Sequence, residues 1–157
     1  MCKRIAMLIV TTSLFLTGCV APPKQQKSAL ELQAIQVKEF ETSHKVAFTA
    51  VMSVFQDLGY TISSASIETG LITAKSPTKQ EFVPFVGQQM SDEKANAFVE
   101  QIGKDRTKIR LSFVKTIQTS SGYGMRGERE LPVQEAEPYQ NAFRKIQQSI
   151  FVRSNTN

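Results

Sequence analysis

The chain has 157 residues, of which 41% are apolar and 21% are charged, values that suit one globular domain. Its formal charge is +5, and no block of five like charges occurs, so the charge pattern does not favour a nucleic-acid-binding protein. The only cysteines are Cys2 and Cys19, and His44 is the only histidine. Because thiolates and imidazoles are scarce, we expect no metal site.

The N-terminal segment has the organisation of a signal peptide. Lys3 and Arg4 precede an apolar run over residues 5–16, which is short for a helix that must cross about 30 Å of hydrocarbon. The run ends at Leu16-Thr17-Gly18-Cys19. We expect cleavage before Cys19, which removes residues 1–18 and two cations and leaves a charge of about +3. The alternatives are an uncleaved membrane helix and an ordinary signal peptide with a coincidental cysteine.

The sequence from Leu16 to Cys19 resembles the lipobox of bacterial lipoproteins. The resemblance implies that signal peptidase recognises Leu16, Thr17 and Gly18, and that Cys19 carries diacylglycerol and an N-acyl chain, with no other cofactor. Several acyl chains together give a stable membrane anchor. Val20 follows, where lipoproteins retained at the inner membrane typically have aspartate. The resemblance therefore implies a periplasm-facing position at the outer membrane, with the inner membrane or the cell surface as alternatives.

The segment after the lipid anchor reads as a flexible tether. Residues 19–34 are polar and contain Pro22-Pro23, a composition that favours an extended or disordered chain. Only the end of the tether, residues 29–32, has the character of a helical turn. From residue 35 the sequence predicts a folded domain, which extends to residue 153 and begins with an alternating strand over residues 34–41.

Two long amphipathic helices are predicted. Residues 44–58 carry an apolar stripe that ends before Gly59, a residue suited to a left-handed helix terminus. Residues 138–151 carry a second stripe behind Pro138, which is tolerated in a first helical turn. A shorter helix is predicted over residues 91–102, closed by Gly103. Its apolar residues recur at helical spacing: Ala95, Phe98, Val99 and Ile102.

The remaining periodic segments predict strands. Residues 60–67 and 71–75 form a hairpin around Gly70, and residues 107–118 alternate between apolar and polar side chains. Ile109, Leu111 and Phe113 make the apolar face of this last strand. We therefore expect a single α+β domain, with an antiparallel sheet of about four strands and the two main helices packed on one face. An edge strand at Leu131-Pro132-Val133 is a further candidate.

No set of residues predicts catalysis. Ser43 and His44 are neighbours at the start of a helix, so a helix cap followed by an exposed residue explains them better than a nucleophile with its base. Glu128 and Glu130 alternate with arginines and read as solvated ion pairs rather than as a glycosidase dyad. The sequence therefore predicts a protein that is not an enzyme.

Two segments are candidates for contact with a partner. Tyr123, Met125 and Arg126 lie in a glycine-rich loop, and these residue types are enriched at protein interfaces. Phe82 and Phe85 lie in an apolar segment interrupted by Pro84. The interpretation that we favour is that this segment covers the sheet as core. The alternative is an exposed docking patch.

Several packing motifs are similar to a recurring pattern in small bacterial lipoproteins. They include Gln56-Asp57-Leu58-Gly59-Tyr60, Gly70-Leu71-Ile72-Thr73-Ala74-Lys75, and a closing helix with Tyr139 and Phe143. The order strand, helix, hairpin distantly resembles domains in the lipoprotein subunits of outer-membrane assembly machinery, which implies a scaffold.

Two functions follow as hypotheses. The first is a membrane-anchored, non-enzymatic scaffold or docking component of a cell-envelope assembly of the secretion, transfer or efflux type, with envelope proteins as partners. The second is a periplasmic binding module that holds a small molecule, peptide or lipid between helix and sheet. A filled core and an exposed apolar patch would favour the scaffold, whereas a pocket lined by Phe and Ile would favour the binding module.

Overall fold

The structure is a computed structural model that describes residues 27–84, 86–120 and 126–155. These residues form an α+β domain with one antiparallel sheet. Its helices are α1 (Ala29–Gln36), α2 (His44–Asp57) and α3 (Ala136–Ser154). Its strands are β1 (Val37–Phe40), β2 (Thr61–Ser66), β3 (Leu71–Lys75), β4 (Lys79–Val83), β5 (Gly87–Gly103), β6 (Arg106–Ser120) and β7 (Arg126–Pro132).

A long hairpin of β5 and β6 forms the centre of the sheet. The two strands stay in register from the pair Gln88 and Ser120 to the pair Gln101 and Thr107. Each outer edge of this hairpin is shared by two shorter strands that lie end to end: β3 and β4 pair with β5, and β1 and β7 pair with β6. Strand β2 extends the sheet beyond β3. Along the strand direction, the central hairpin is therefore at least about twice as long as each of the strands that flank it.

The junction between β3 and β4 is a local interruption at Ser76 and Pro77. The Ser76 amide donates to the Glu93 carbonyl at 2.8 Å, and the Glu93 amide donates to Ser76 Oγ at 2.9 Å. Pro77 has no amide hydrogen to give to the ladder. The serine side chain thus replaces a missing backbone partner, and the edge of β5 remains hydrogen-bonded between the end of β3 and the start of β4.

The core lies where the helix stripes meet one set of alternating strand residues. Ile109, Leu111 and Phe113 on β6 are 2% exposed or less, as the alternation predicts. The Phe113 ring lies 5.0 Å from that of Tyr139 on α3 and 6.4 Å from that of Phe55 on α2. Both predicted helix stripes are buried in the same cluster: Ala47, Val51, Val54 and Phe55 on α2, and Tyr139, Ala142, Phe143, Ile146 and Ile150 on α3.

The Tyr139 hydroxyl fills a gap along the outer edge of β6. Strand β1 begins opposite Arg110, and β7 ends opposite Val114. Between them, the Phe113 carbonyl accepts from the Val133 amide at 2.9 Å, and the Phe113 amide donates to the Tyr139 hydroxyl at 3.4 Å. That hydroxyl donates to the Val133 carbonyl at 2.8 Å. A single side chain therefore satisfies buried backbone groups that neither strand reaches.

The α+β class and the antiparallel sheet are confirmed, but the estimate of about four strands is wrong, because the described residues form seven. The predicted helix over residues 91–102 is part of β5. Ala95, Ala97 and Val99 are buried while Phe98 is 38% exposed, which is the period of a strand. Helix-forming residues such as Glu93 and Lys94 gave a local preference that pairing with β3 and β6 overrides.

The described N-terminal part also differs from the predicted tether. Helix α1 begins at Ala29, and Ser28 and Glu31 form a reciprocal capping box at its start. Strand β1 therefore begins at Val37 rather than at residue 34. By contrast, the end of the long helix before Gly59 is confirmed, because Gly59 has φ +87°.

Candidate functional site

The part of the sheet farthest from the core is a four-stranded extension, which we call the distal tip. It consists of β4, residues 87–91 of β5, residues 116–120 of β6 and residues 126–130 of β7. No described residue of the distal tip belongs to the hydrophobic core cluster. The distal tip exists because β5 and β6 continue past the last core residues, Ala95 and Phe113, and carry β4 and β7 with them.

Strand pairing brings two sequence candidates into one transverse row of the distal tip. Phe82 is opposite Gln88, Gln88 is opposite Ser120, and Ser120 is opposite Arg126. Because residues paired across adjacent antiparallel strands point to the same face, Phe82 and Arg126 share one face of the sheet. With strands about 4.8 Å apart, their backbones are about 14 Å apart. No pattern in the sequence predicts that these segments, more than 40 positions apart, meet in the fold.

Phe82 is exposed on this face. Its side chain is 75% accessible, so the favoured interpretation of Phe82 as core is wrong. Strand β4 is an edge strand that pairs only with β5 among the described strands, and Pro84 follows directly after its end. Val86, in the turn to β5, is 44% exposed. The distal tip therefore presents apolar surface to solvent at one corner.

A concave region of about 630 Å³ continues from the row across the same end of the sheet. The residues that line it combine an apolar thioether, amides, hydroxyls and one charge of each sign: Gln88, Met90, Gln118, Thr119, Ser120, Arg126, Gly127 and Glu128. Arg, Met and aromatic side chains are enriched at protein interfaces. Met90 and Arg126 in this lining are therefore of residue types that protein interfaces use.

Alternating charges mark the point where the distal tip joins the body of the sheet. Lys75 Nζ lies 3.3 Å from Asp92 Oδ2, and Lys94 Nζ lies 2.6 Å from Glu130 Oε1. The hydrogen bond that Lys94 donates to Glu130, followed by the charge of that carboxylate, raises the pKa of Lys94. Asp92 is only 9% exposed, so the Lys75 ammonium balances a charge that burial would otherwise penalise.

The other face of the same junction contains Tyr60. Its hydroxyl donates a short hydrogen bond to Glu93 Oε1, and its ring stacks 6.2 Å from that of Phe113. Burial, followed by the hydrogen bond and charge of Glu93, raises the pKa of Tyr60. The neutral phenol therefore links the segment that follows α2 to β5.

His44 has a structural role in the described part of the chain. Its Nε2 lies 3.0 Å from the Val99 carbonyl, a geometry in which the ring nitrogen donates. The imidazole is half-buried, not exposed as the sequence suggested, and it fastens the start of α2 to β5. Ser43 precedes the helix without a side-chain capping bond. No hydrogen bond joins Ser43 to His44 among those found for the described residues.

The other candidate residues lie outside the described residues. These are Leu16, Thr17, Gly18 and Cys19 of the predicted lipobox, together with Phe85, Tyr123 and Met125. Among the residues that are described, no group of three His, Cys, Asp or Glu side chains could hold a metal ion. Within the same ranges, no helix has both the length and the apolar character to cross a membrane.

A groove that was not predicted from the sequence lies between α2 and α3 on the outer side of the helices. Its volume is about 790 Å³. Its lining includes three cations, Lys45, Lys145 and Arg153, and one acid, Asp57. The signal was present in the sequence, since these cations flank the buried stripes of the two helices, but it became visible only when the helices were placed side by side.

Comparison with known proteins adds no family to these observations. No protein-family model matches the chain, and no curated protein matches it.

Proposed function

We propose that this protein is a lipid-anchored lipoprotein at the periplasmic face of the outer membrane, where it acts as a non-enzymatic docking component of a cell-envelope assembly. The observation that carries the docking role is the distal tip, where Phe82 is 75% exposed in one row with Arg126. The lipobox ending at Cys19 carries the anchor. Secretion, transfer and efflux machines are the assemblies for which such a component is suited.

The division of the fold supports this proposal. In our proposal the two long helices cover one face of the body of the sheet, and the distal tip projects beyond them as a docking arm. An arm built on β5 and β6 is held by a long ladder of backbone pairs, so its surface is organised before a partner arrives. A preorganised surface loses less conformational entropy on binding than a flexible one.

The alternative, a module that holds a ligand between helix and sheet, has less support. Aromatic and branched side chains fill the space between the helices and β6, and several are fully buried, including Phe55, Ile109 and Tyr139. The groove of about 790 Å³ between α2 and α3 lies on the outer side of the helices and is lined mainly by polar and charged groups. A packed interface of this kind favours docking through an external surface.

A comparison of matched variants in membranes tests the docking role. The wild-type protein, Phe82→Ser with Arg126→Glu, and the control Ile67→Ser are expressed with their lipid anchor and isolated in mild detergent. Ile67 is 43% exposed and lies in the turn between β2 and β3, outside the distal tip. We expect envelope proteins to co-purify with the wild type and the control, and to fall by at least about tenfold with the tip variant. Equal recovery with all three proteins would contradict the proposed docking surface.

A second variant tests the anchor. Cys19→Ser removes the thiol that lipid modification requires, so we expect the protein to appear in an unprocessed form or in the soluble fraction. Mass spectrometry of the wild-type N-terminal peptide should show acyl chains on Cys19. Wild-type membrane behaviour in the serine variant would contradict lipidation at this residue.

A further inference from the structure

The groove between α2 and α3 carries an excess of positive charge. Lys45 contributes from α2, and Lys145 and Arg153 contribute from α3, against the single carboxylate of Asp57. The remaining lining residues are uncharged: Val46, Thr49, Gln148, Ser149 and Val152. The electrostatic character of the groove is therefore suited to an anionic surface.

Arg153 is held in place across the groove. Its Nη2 donates to Ser53 Oγ on α2 at 2.6 Å, and its Nε donates to Ser149 Oγ on α3 at 3.3 Å. These bonds use neutral hydroxyls, so the guanidinium charge is not cancelled by them. A guanidinium fixed in this way retains donors for phosphate oxygens and loses little side-chain entropy on binding them.

An exposed apolar side chain accompanies the charges at the C-terminal end of α3. Val152 lines the groove and is 62% exposed, whereas Phe151, which is 69% exposed, lines a separate concave region with Glu39 and Glu41 of the β1 segment. Cations beside exposed apolar residues, on the outer side of a helix, are the combination by which helices lie in a membrane interface. Neither the core nor the distal tip accounts for this surface.

The length of the N-terminal segment permits contact with the anchoring membrane. Residues 19–26 lie outside the described residues, and Lys27 begins the described chain, with its amide donating to Gln134 Oε1 beside the start of α3. The eight steps from Cys19 to Lys27 span at most about 28 Å when extended. A lipid at Cys19 therefore keeps α3 within reach of the leaflet in which the acyl chains are inserted.

We propose that the outer surface of α2 and α3 docks on the anionic phospholipids of that leaflet, with Lys45, Lys145 and Arg153 at the phosphates and Val152 at the acyl boundary. This inference rests on the proposed lipid anchor. Docking by the helices would hold the domain in one orientation, so that the distal tip is directed towards its partner instead of tumbling on a tether.

The test uses the lipidated protein in vesicles, with one fluorophore placed in the groove. The mature chain has no cysteine besides Cys19, so Gln148→Cys provides a unique free thiol for an environment-sensitive label. Vesicles contain phosphatidylcholine alone or with about one third phosphatidylglycerol, and lipids with a quencher in the acyl chain report contact. Lys45→Glu with Lys145→Glu is compared with Lys79→Glu plus Lys104→Glu, which makes the same charge change outside the groove.

We expect quenching in phosphatidylglycerol vesicles, little in phosphatidylcholine, and loss of quenching in high salt. Each basic residue near an anionic surface contributes about 1 kcal/mol to binding, and about 1.4 kcal/mol changes a binding equilibrium tenfold. Replacement of both lysines in the groove variant should therefore lower the docked-to-undocked ratio by at least about 30-fold. The control variant should retain the wild-type ratio. An anchored protein whose label is not quenched, or equal loss in both variants, would overturn the inference. Failure of the protein to stay on vesicles would instead refute the anchor.

Soluble polyglutamate provides the remaining comparison. If the anionic leaflet is the occupant, polyglutamate should compete only weakly with phosphatidylglycerol. Protection of the label by polyglutamate, with no effect of phosphatidylglycerol, would overturn the membrane assignment in favour of an acidic polypeptide.

Discussion

Removal of one oxygen atom, in Tyr139→Phe, tests how the two halves of the outer edge of β6 are joined. The Tyr139 side chain is fully buried, and its hydroxyl bonds the Val133 carbonyl at 2.8 Å and the Phe113 amide at 3.4 Å. The Gln36 side-chain amide also donates to it, at 3.3 Å. Phenylalanine keeps the ring packed on Phe113 but leaves these groups without their shared partner.

The magnitude follows from how deeply each group is buried. An unsatisfied buried backbone group costs about 1–3 kcal/mol, and the bond from the Phe113 amide is long and hence weak. Val133 is only half-buried, so water can reach its carbonyl in part. We therefore expect Tyr139→Phe to lower the free energy of unfolding by about 2 kcal/mol, equivalent to a fall in Tm of about 6–10 °C for a domain of this size.

Urea titration followed by far- and near-ultraviolet circular dichroism measures this change. We expect a lower midpoint with an unchanged slope against urea, because the surface exposed on unfolding stays the same. A loss below about 0.5 kcal/mol would refute the reasoning, since it would mean that Phe113 and Val133 find other partners. A change in slope would mean that the native state itself had rearranged.

Three further predictions concern stability and are measured in the same way. Gly70→Ala should destabilise the fold by several kcal/mol, because a Cβ at Gly70 would lie 2.0 Å from the Val99 carbonyl oxygen. Gly59→Ala should cost only about 1 kcal/mol, because a Cβ at Gly59 meets nothing within 4 Å. Equal losses of stability in the two variants would contradict this prediction. Lys75→Ala should lower the free energy of unfolding by about 1–2 kcal/mol, because it leaves Asp92 buried without its cation. The loss should be greater than that for Lys94→Ala, because Glu130, the partner of Lys94, is half exposed. The reverse order would be evidence against the buried charge. The folded-state pKa of Tyr60 is raised, so the contribution of the Tyr60 hydroxyl to the free energy of unfolding is complete below the unfolded pKa of about 10 and is lost as the pH rises above it. The stability difference between the wild type and Tyr60→Phe should therefore shrink above about pH 10. A constant difference would refute this role.

The sequence predicted well those elements whose periodicity matches their final burial. Three elements direct a continuous apolar face at the core: α2, α3 and the part of β6 with Ile109, Leu111 and Phe113. Hydrophobic spacing alone was therefore enough to identify them. Gly59 marked the helix end because its φ of +87° is a conformation that glycine adopts readily.

The sequence predicted poorly the elements that depend on distant pairing. Two of the four buried residues of β5 are alanines, Ala95 and Ala97, and alanine favours a helix. The strand conformation of this segment is decided by pairing with β3 and β6 on either side. Strand β7 is exposed at every residue and so carries no hydrophobic alternation to read. The distal tip could not be predicted for the same reason, because the row from Phe82 to Arg126 is defined by register across four strands.

The most direct test of the docking role is crosslinking inside intact cells. A photoreactive amino acid is placed at Phe82 in the lipidated protein, at Ile67 as an exposed control of similar chemistry, and at Phe82 in the Cys19→Ser background. We predict a discrete crosslinked envelope protein from position 82 only, and its loss when the lipid anchor is removed. Equal products from positions 82 and 67, or a product at position 82 that survives without the anchor, would contradict a docking arm held at the membrane.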